Sequence, residues 1–451
     1  MFRSIARVTA SANLRVAVVG SGPAGFYAAS ALLVSEEPKV EVDLIERLPT
    51  PWGLVRLGVA PDHPNIKAVS RAFERTAAQP GFRFFGNVEV GRDVTHEELR
   101  ALYDAVIYSV GAQTDRQLGI PGEDLPGSWA ATEFVAWYNG HPDFQHLEFD
   151  LSHARAVVIG NGNVALDVAR MLALTPEELA PTDTTDAAIE AINGAGVEEI
   201  LVVGRRGPVQ AAWTPVEVGE LGELAGADIV VDPAQLRLDE SSAAALEAAP
   251  PTVKRNVEHL RDYATRAPTG KPRRIRLRFL ASPVAIHGDE KVEAIELVRN
   301  ELVDGRAVPT DERETIPCGI VFRSVGYRGV ALTGVPFDEG SGTIPNEGGR
   351  VEPGLYVAGW IKRGPSGVIG TNKKDATETV EVLLADARAG KLPPGGEGTL
   401  DELLAERGVD AVLYGGWEAI DAAERGAGEP HGRPRIKLAT WDELLEAARR
   451  L

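Results

Sequence analysis

Short apolar runs that end in glycine-rich turns are the clearest pattern along the chain. The first run, residues 15–19, leads into the turn GSGPAG at 20–25, and a helical segment follows to about Leu33. A second apolar run, residues 39–45, ends at Glu46. A strand, a tight turn, a helix and a second strand within about 30 residues are typical of a dinucleotide-binding unit.

A second unit of the same kind follows farther along the chain. An apolar run at 156–159 leads into GNGNVA at 160–165 and a helix to about Leu174, and the next strand is predicted at 199–203. Residues 175–197 are rich in Pro, Thr, Asp and Ala, so we expect a surface insertion there. Two glycine turns, each directly after an apolar run, are stronger evidence for nucleotide binding than one turn alone.

Two further strands mark the points where the chain is expected to pass between lobes. They are predicted at 105–110 and 319–325, and each precedes a glycine that lets the backbone change direction. The predicted fold class is α/β, with two Rossmann-like dinucleotide-binding domains and the second inserted in the first. The expected divisions are residues 1–113 and 330–451 for the first domain, and 114–329 for the second.

The remaining patterns are predicted to complete the first domain. A strand is expected at 354–358, and helices at 400–406 and 441–449 should pack against that domain. Residues 239–251, rich in Ala with Ser and Glu, are expected to form a solvated helix or loop.

Composition narrows the function without identifying it. The 451 residues carry 47 Lys and Arg against 66 Asp and Glu, a net charge of −19, which disfavours a general nucleic-acid binder. The single cysteine, Cys318, excludes an internal disulfide, a redox-active cysteine pair and a cysteine-ligated iron–sulfur cluster. We identify no metal site among the eight histidines. No apolar run reaches the roughly 18 residues that a transmembrane helix needs.

The first residues, MFRSIARVTASANLR, contain Arg, Ser and Thr but no acid. This composition fits either a short transit peptide or a leader before the first strand, and its brevity favours the leader. The expected compartment is the cytoplasm.

The two glycine-rich units differ in the residues that end their second strands. Glu46 is placed to accept hydrogen bonds from ribose hydroxyls, which suits FAD or NAD. The second unit instead has Arg205 and Arg206, whose guanidiniums would pair with the 2′-phosphate of NADPH. The alternative for all three is a charge on a solvated turn. Together the two sites predict that hydride passes from NADPH to a flavin held where the domains meet.

Five longer motifs carry a resemblance to a known family. They are GSGPAG at 20–25, RLPTPWGLVRLGVAPDHP at 47–64, GNGNVALDVAR at 160–170, GRRGPVQAAWTPVEVGEL at 204–221 and GWIKRGPSGVIGTNKKDATETV at 359–380. They resemble the adrenodoxin reductase family, the NADPH–ferredoxin reductases of the glutathione-reductase-like type. The resemblance implies FAD in the first domain, NADPH in the second, and an acidic iron–sulfur ferredoxin as acceptor. A cytochrome P450 is one candidate for the protein farther downstream.

The resemblance also assigns individual residues. For FAD it implies the turn residues Gly20, Gly22, Pro23, Ala24 and Gly25, the ribose ligand Glu46 with Arg47, the segment Trp52, Gly53, Leu54, Val55 and Arg56, and the later residues Gly359, Trp360, Gly367, Val368 and Ile369. For NADPH it implies Asn161, Gly162, Asn163, Val164, Arg205, Arg206 and Glu217. His63 and Glu220 match polar residues near the flavin and nicotinamide, with roles in orientation, charge tuning or proton relay. For His63, an ordinary helix-entry role before Pro64 is an open alternative.

The ferredoxin is expected to dock on residues 254–278. This segment carries nine basic and two acidic residues, a reversal of charge within an acidic chain that is typical of a face for an acidic partner. The alternative is that Arg274, Arg276 and Arg278 merely coat the outer face of a strand. Lys373 and Lys374 are further candidates for the patch.

Two other functions remain open at this point. One is NADPH-dependent reduction of a quinone or small dye-like molecule, and the other is nucleotide binding without catalysis. Electron transfer to a thiol pair within the chain is excluded by the single cysteine.

Overall fold

The computed structural model of the protein describes residues 13–450, and two mainly parallel β-sheets form its centre. Its strands are β1 (Leu14–Val19), β2 (Val40–Ile45), β3 (Phe82–Phe85), β4 (Ala105–Tyr108), β5 (Thr114–Asp115), β6 (Ser128–Ala130), β7 (Arg155–Ile159), β8 (Glu199–Val203), β9 (Ala227–Val231), β10 (Arg273–Arg278), β11 (Ala281–His287), β12 (Ala294–Val303), β13 (Arg306–Pro317), β14 (Ile320–Arg323), β15 (Tyr327–Arg328), β16 (Arg350–Glu352) and β17 (Leu355–Val357). Its α-helices are α1 (Pro23–Leu33), α2 (Leu54–Leu57), α3 (Pro64–Lys67), α4 (Ser70–Ala77), α5 (His96–Leu102), α6 (Ala131–Tyr138), α7 (Asn163–Ala173), α8 (Pro176–Leu179), α9 (Asp186–Asn193), α10 (Pro215–Glu220), α11 (Glu240–Ala248), α12 (Pro251–Thr265), α13 (Trp360–Arg363), α14 (Ile369–Arg388), α15 (Leu400–Glu406), α16 (Tyr414–Gly428) and α17 (Trp441–Ala448). Short 3₁₀ turns lie at Pro142–Phe144, Pro208–Gln210, Leu221–Glu223, Pro233–Leu236 and Glu429–His431.

The first sheet has the strand order β16–β17–β4–β1–β2–β3, and only β16 pairs in an antiparallel sense. Its strands are apolar almost throughout because helices cover both faces. On β1, Val16 and Val18 pack into one core with α1 and α14, whereas Ala17 and Val19 pack into another with α5 and α15.

The second sheet has the order β6–β14–β7–β8–β10–β9, with every pair parallel. β14 comes late in the chain yet lies between β6 and β7. All six strands of this sheet lie between β4 and β16 in the sequence. The predicted fold class, two dinucleotide-binding sheets with the second inserted in the first, is therefore confirmed.

Two smaller sheets join and extend these layers. β5 and β15 form an antiparallel ribbon where the chain passes between the large sheets, with Asp115 opposite Tyr327 and Thr114 opposite Arg328. β11, β12 and β13 form a three-stranded antiparallel sheet beside the second large sheet. The sequence patterns do not predict this three-stranded sheet.

The segment 175–197 lies partly on the surface, as its composition predicts, but its centre is buried. It contains α8 and α9, and Thr182 and Asp183 within it are buried. The carboxylate of Asp183 accepts hydrogen bonds from Lys67 Nζ at 2.6 and 2.8 Å and lies 3.3 Å from Lys437 Nζ. Residues 182–185 at the centre of the segment are buried, and there the Asp183 carboxylate pairs with lysines from two other parts of the chain.

The predicted C-terminal helices are present as α15 and α17, but α16 between them is not anticipated. The helix α11 falls within the predicted 239–251 region. The leader prediction concerns residues that lie almost entirely outside the described range, which begins at residue 13. Within residues 13–450, no helix is long and apolar enough to cross a membrane.

A buried ion pair fastens the C-terminal segment, residues 413–450, to the first domain. Glu424 of α16 is fully buried and accepts hydrogen bonds from Arg56 Nη1 at 2.8 Å and Nη2 at 2.5 Å. Arg435 Nη1 donates to the same carboxylate at 3.0 Å. Burial alone would raise the pKa of Glu424, but the two guanidiniums hold it below its ordinary value. Both charges of the Arg56–Glu424 pair are therefore satisfied without water.

Replacing Glu424 with Gln should lower the free energy of unfolding by about 3–5 kcal/mol, because it leaves Arg56 buried without a countercharge. Urea unfolding followed by circular dichroism measures the change. Glu418→Gln, on the exposed face of the same helix, is the matched control and should leave the unfolding midpoint unchanged. Equal midpoints for the two variants would contradict the stabilising role of this pair.

Candidate functional site

A cavity of about 1830 Å³ lies between the two large sheets. Residues 20–24, after β1, and residues 160–164, after β7, both line it. Ligands of parallel α/β sheets bind in this way at the carboxyl ends of the strands. One space reached from two such turns has room for two nucleotides whose reactive ends meet.

The first turn has the shape that a pyrophosphate needs. Gly20 has φ +99°, and a Cβ there would lie 2.7 Å from the Ser109 carbonyl oxygen. A Cβ at Gly25 would lie 2.0 Å from the Gly20 carbonyl oxygen, so the helix packs directly on the turn. A Cβ at Gly22 would meet no atom within 4 Å, which leaves the middle of the turn open to a ligand. α1 begins here without a side-chain cap, so its first N–H groups are free to bind an anion.

Glu46 is held beside this turn. Its Oε2 accepts hydrogen bonds from Ser21 N at 3.0 Å and Ser21 Oγ at 2.6 Å, and its Oε1 accepts one from Leu48 N at 3.1 Å. These bonds fix the carboxylate on the cavity wall, where it also lines the space predicted for the ribose. The residues of the first turn fit an adenine dinucleotide such as FAD.

The second turn repeats this arrangement at β7 and α7. A Cβ at Gly162 would meet no atom within 4 Å, and α7 begins without a side-chain cap. Asn163 Oδ1 accepts a hydrogen bond from Thr214 N at 2.8 Å, and the Asn161 carbonyl accepts one from Ala212 N at 2.8 Å. The turn is therefore open toward the cavity and braced by residues 212–214 behind it.

Arg205 and Arg206 follow the end of β8, beside the second turn. Both are exposed, and both line the cavity. No carboxylate in the described part of the chain forms an ion pair with either guanidinium. Two unpaired guanidiniums beside an open phosphate turn fit a phosphorylated ribose such as that of NADPH.

A buried cluster of charged side chains lies where the domains meet. Arg170 of α7 is at its centre: Nε donates to Asp62 Oδ2 at 2.7 Å, and Nη2 donates to Asp62 Oδ1 at 3.0 Å and Asp167 Oδ1 at 2.9 Å. Its Nη1 lies 3.4 Å from Glu217 Oε2. Asp62 belongs to the first domain and the other residues to the second, so Arg170 links the two domains beside the cavity.

His63 extends this cluster toward α10. Its Nε2 lies 2.8 Å from Glu220 Oε2 and 3.9 Å from Glu217 Oε2. The His63 side chain is 8% exposed and that of Glu220 is 34% exposed, so the pair connects the buried cluster with the surface. An imidazole and a carboxylate at hydrogen-bond distance can share and move a proton.

The same side chains are the one group in residues 13–450 whose ligand atoms are close enough to hold a metal ion. The relevant atoms of His63, Glu217 and Glu220 lie within 4.8 Å of one another. However, Arg170 Nη1 lies 3.4 Å from Glu217 and 3.5 Å from Glu220. Because the Arg170 guanidinium already lies beside both carboxylates and would repel a cation, the arrangement favours proton handling over cation binding.

The pKa values of two carboxyls in this cluster are raised. Burial, and after it the carboxylate of Asp167, raises the pKa of Glu217 to about 7. Burial also raises the pKa of Asp167, against the attraction of Arg170. Asp62 differs, since its hydrogen bonds to Arg170 outweigh burial and hold its pKa below the ordinary value. The Asp167–Glu217 pair is therefore the part of the cluster that titrates.

Most of the predicted site residues line the cavity. They are Gly20, Gly22, Pro23, Ala24, Glu46, Arg47, Gly53, Leu54, His63, Asn161, Gly162, Asn163, Val164, Arg205, Arg206, Glu217, Trp360, Gly367, Val368 and Ile369. Their roles toward each cofactor stay predictions.

Six predicted residues do not reach the cavity wall, namely Gly25, Trp52, Val55, Arg56, Gly359 and Glu220. Arg56 is instead held by Glu424, and the Trp52 ring packs edge-on against Trp417 with centroids 4.8 Å apart. A Cβ at Gly359 would lie 2.6 Å from Ala24 Cβ, so this glycine packs behind the first turn. These residues shape the site from behind rather than forming its surface.

The sequence analysis misses three members of the charged cluster, Asp62, Asp167 and Arg170. A signal exists for two of them, because Asp167 and Arg170 are charged residues three apart in the otherwise apolar helix after the second turn. Asp115 is also missed: it lines the cavity, and burial raises its pKa to about 7.

Replacing Glu217 with Gln should remove a carboxyl titration near neutral pH. The folded pKa of about 7 lies above the ordinary value of 4.5, so the folded protein binds the proton more tightly. This group therefore lowers stability as the pH rises from about 4.5 to about 7 and has no further effect above that. Infrared difference spectroscopy across this range should show the carboxylic-acid band disappear with a midpoint near pH 7.

The control for this titration is Glu223→Gln, which removes an exposed carboxylate six residues along the chain. The neutral-pH band should keep its full intensity in that variant. In Glu217→Gln it should lose the share that comes from Glu217 and keep the share from Asp115, whose pKa is also about 7. A band that survives the Glu217 substitution unchanged would assign the titration elsewhere.

Comparison with known proteins places this geometry in a family. Residues 14–186 match the family model described as pyridine nucleotide-disulphide oxidoreductase. NADPH-ferredoxin reductase FprA of Mycobacterium tuberculosis is 55% identical over 450 residues, covering 95% of this chain and 98% of the relative. The mitochondrial NADPH:adrenodoxin oxidoreductase of Homo sapiens is 46% identical over 453 residues, covering 96% and 91%.

The fold comparison agrees with the sequence comparison. The solved structure of Mycobacterium tuberculosis FprA in complex with NADPH superposes with a TM-score of 0.91 at 53% identity, covering 97% of this chain and all of that one. The similarity to both relatives extends over nearly the whole chain and includes both glycine turns. The chain therefore belongs to the adrenodoxin reductase family of NADPH–ferredoxin reductases.

Proposed function

We propose that the protein is an FAD-dependent reductase that takes electrons from NADPH and delivers them singly to a ferredoxin-type iron–sulfur protein. The observation that carries this proposal is the single cavity with an acid at the ribose end of one glycine turn and two free arginines at the other. The names of its relatives, an NADPH-ferredoxin reductase and an NADPH:adrenodoxin oxidoreductase, support the same activity. When bound, FAD supplies the chemistry that converts an electron pair into two single-electron deliveries.

The chain contributes binding and orientation to this reaction. The open middles of the two turns and the uncapped starts of α1 and α7 would hold the pyrophosphates of FAD and NADPH. Glu46 would hold the FAD ribose, and Arg205 and Arg206 would hold the 2′-phosphate of NADPH. Binding at both ends of one cavity brings the reactive rings together and excludes water from the space between them.

The charged cluster contributes to the electrostatic potential beside the nicotinamide. Four carboxylates, those of Asp62, Asp167, Glu217 and Glu220, surround a single guanidinium, that of Arg170. The nicotinamide ring becomes positively charged as NADPH is oxidised, and loss of a proton from the Asp167–Glu217 pair would leave negative charge in the cluster to balance it. We assign His63 and Glu220 to charge tuning and to proton exchange between this cluster and the surface.

The proposed docking face for the acidic partner is helix α12 within the basic segment 254–278. Lys254 and Arg261 on this helix are exposed, and α12 packs on α10, which carries Glu217 and Glu220. The Tyr263 hydroxyl donates to the carbonyl oxygens of α10 at Val218 and Gly219, at 2.7 and 2.9 Å. The helix α10 therefore lies between α12 and the charged cluster.

The arginines of β10 are less suited to this role. Arg274 and Arg276 share the carboxylate of Glu199, at 2.7 and 3.4 Å. Glu199 is the first residue of β8, so this group lies at the amino edge of the sheet, opposite the edge that opens on the cavity. Arg278 is paired with Glu314 at 3.0 Å. A partner at the amino edge would be far from the redox centre.

The cytoplasm is the proposed compartment, and a cytochrome P450 is a candidate for the protein that the reduced ferredoxin serves. The cytochrome P450 proposal follows from the family resemblance of the sequence motifs.

Anaerobic mixing with NADPH tests the function directly. The purified protein should be yellow, lose its flavin absorbance on mixing, and regain it when an oxidised ferredoxin is added. Reoxidation by a quinone but by no ferredoxin would favour the quinone reductase alternative. A colourless protein, or a yellow one that NADPH leaves unchanged, would overturn the proposal.

Replacing Arg205 and Arg206 together with Ala should raise the KM for NADPH by the equivalent of about 2–5 kcal/mol, because two charge-assisted contacts are lost. The KM for NADH should change little, since that coenzyme lacks the 2′-phosphate. Steady-state reduction of ferricyanide with each coenzyme measures both values. Arg237→Ala, an exposed arginine of the same domain, is the control. Equal effects on both coenzymes would remove the 2′-phosphate role.

Neutralising α12 with Lys254→Gln and Arg261→Gln should raise the KM for ferredoxin by about tenfold at low salt and reduce its salt dependence. Ferricyanide reduction should be unchanged, because that reaction needs no docking face. Arg274→Gln with Arg276→Gln removes the same charge from β10 and is the matched control. A larger loss from the β10 variant than from the α12 variant would place the partner on the strand instead.

A further inference from the structure

Three consecutive carbonyl groups of the arginine turn are hydrogen-bonded from behind. The Gly204 carbonyl accepts from Ala281 N at 3.1 Å, and the Arg206 carbonyl accepts from Leu280 N at 3.1 Å. Between them, the Arg205 carbonyl accepts from the side-chain amide of Asn300, Nδ2, at 2.8 Å. The carbonyls of the turn face Leu280, Ala281 and Asn300, so the side chains of Arg205 and Arg206 point the other way. Both side chains line the cavity.

Asn300 is an unusual residue for its position. It lies on β12 and is only 1% exposed. Its Nδ2 carries two hydrogens, and the second is donated to Ser282 Oγ at 2.8 Å. Both donors are therefore used, and the opposite orientation of the amide would set two oxygens against each other at the Arg205 carbonyl. A buried amide at a strand position is costly unless its bonds are made, so this one is fixed in a single orientation.

The three-stranded sheet β11–β13 places the Asn300 side chain against the arginine turn. The pairing of β12 with β13 shifts register between Val298 and Asn300. Leu280, at the turn between β10 and β11, has φ +53°, and its carbonyl accepts a hydrogen bond from Asn300 N at 2.7 Å. The backbone of Asn300 thus holds the same loop whose N–H groups hold the arginine turn. The three-stranded sheet therefore holds the contact between Asn300 and the Arg205 carbonyl in place.

We propose that Asn300 is a positioning residue for recognition of the 2′-phosphate, acting through the Arg205 carbonyl to hold both guanidiniums toward the cavity. This inference rests on the proposed NADPH specificity of the second site. Asn300 does not line the cavity, so it makes no contact with the coenzyme. It sets the affinity for one phosphate group by fixing the residues that bind it. The three-stranded sheet thereby becomes part of the coenzyme site, although it lies beside the nucleotide-binding sheet.

Isothermal titration of the FAD-loaded protein with adenosine 2′,5′-bisphosphate and with 5′-AMP tests this role. Wild type should bind the bisphosphate more tightly. Asn300→Ala should weaken bisphosphate binding by about tenfold, the effect of one lost hydrogen bond to a binding group, and change 5′-AMP binding less than about twofold. Ser282→Ala, which removes the second partner of the amide at a residue that also lines the cavity, should shift the same ratio in the same direction by about threefold. The KM ratio of NADPH to NADH should follow.

Arg299→Ala is the matched control on the same strand. Its guanidinium pairs with Glu312 across the hairpin, at 2.9 Å, and its loss should leave both affinities unchanged. Equal weakening of both ligands by Asn300→Ala, or no change in either, would overturn the positioning role while leaving the proposed function intact. A wild-type protein that does not distinguish the two ligands would overturn both. Should Asn300→Ala not fold, an unchanged ratio in Ser282→Ala would be decisive against the role.

Discussion

The bidentate contact between Arg170 and Asp62 is the interaction on which the geometry of the cavity depends. It joins the helix after the second glycine turn to the first domain, and the Arg170 side chain is only 2% exposed. A guanidinium buried this deeply needs carboxylates to offset its lost hydration, and those of Asp167 and Glu217 complete its surroundings. The relative position of the domains and the charge balance of the site are therefore set by the same few atoms. A shift of either domain would separate Asp62 from Arg170 and break both hydrogen bonds of this contact.

The C-terminal segment provides the second connection between the domains. Arg433 donates to the carbonyl oxygens of Thr182 and Thr184, and Lys437 Nζ donates to the Arg56 carbonyl at 3.2 Å and Asn139 Oδ1 at 3.1 Å. Lys437 is buried, and this burial lowers its pKa well below the ordinary value. The segment thus contacts both domains. Together with Arg170 it leaves little freedom between them.

Local patterns predict the two glycine turns, the acid at one and the arginines at the other, because each depends on a few adjacent residues. The inserted topology also follows, since apolar runs and glycines mark both passages of the chain between sheets. Contacts between distant segments could not be predicted. The burial of Asp183 depends on Lys67 and Lys437, and nothing in the composition of residues 175–197 signals those partners. Asp62 and Asn300 likewise look like ordinary polar residues until the fold brings them to Arg170 and Arg205.

The place of β16 and β17 in the first sheet has a consequence for biosynthesis. These strands pair beside β4, yet the whole second sheet is translated between β4 and them. The inserted domain is contiguous and can acquire its core as it leaves the ribosome. Meanwhile the edge of β4 stays unpaired, and an open apolar edge is a template for aggregation. The first domain therefore begins to be translated first but completes its sheet last. Until β17 arrives, the unpaired edge of β4 is the part of the nascent chain that a chaperone would protect.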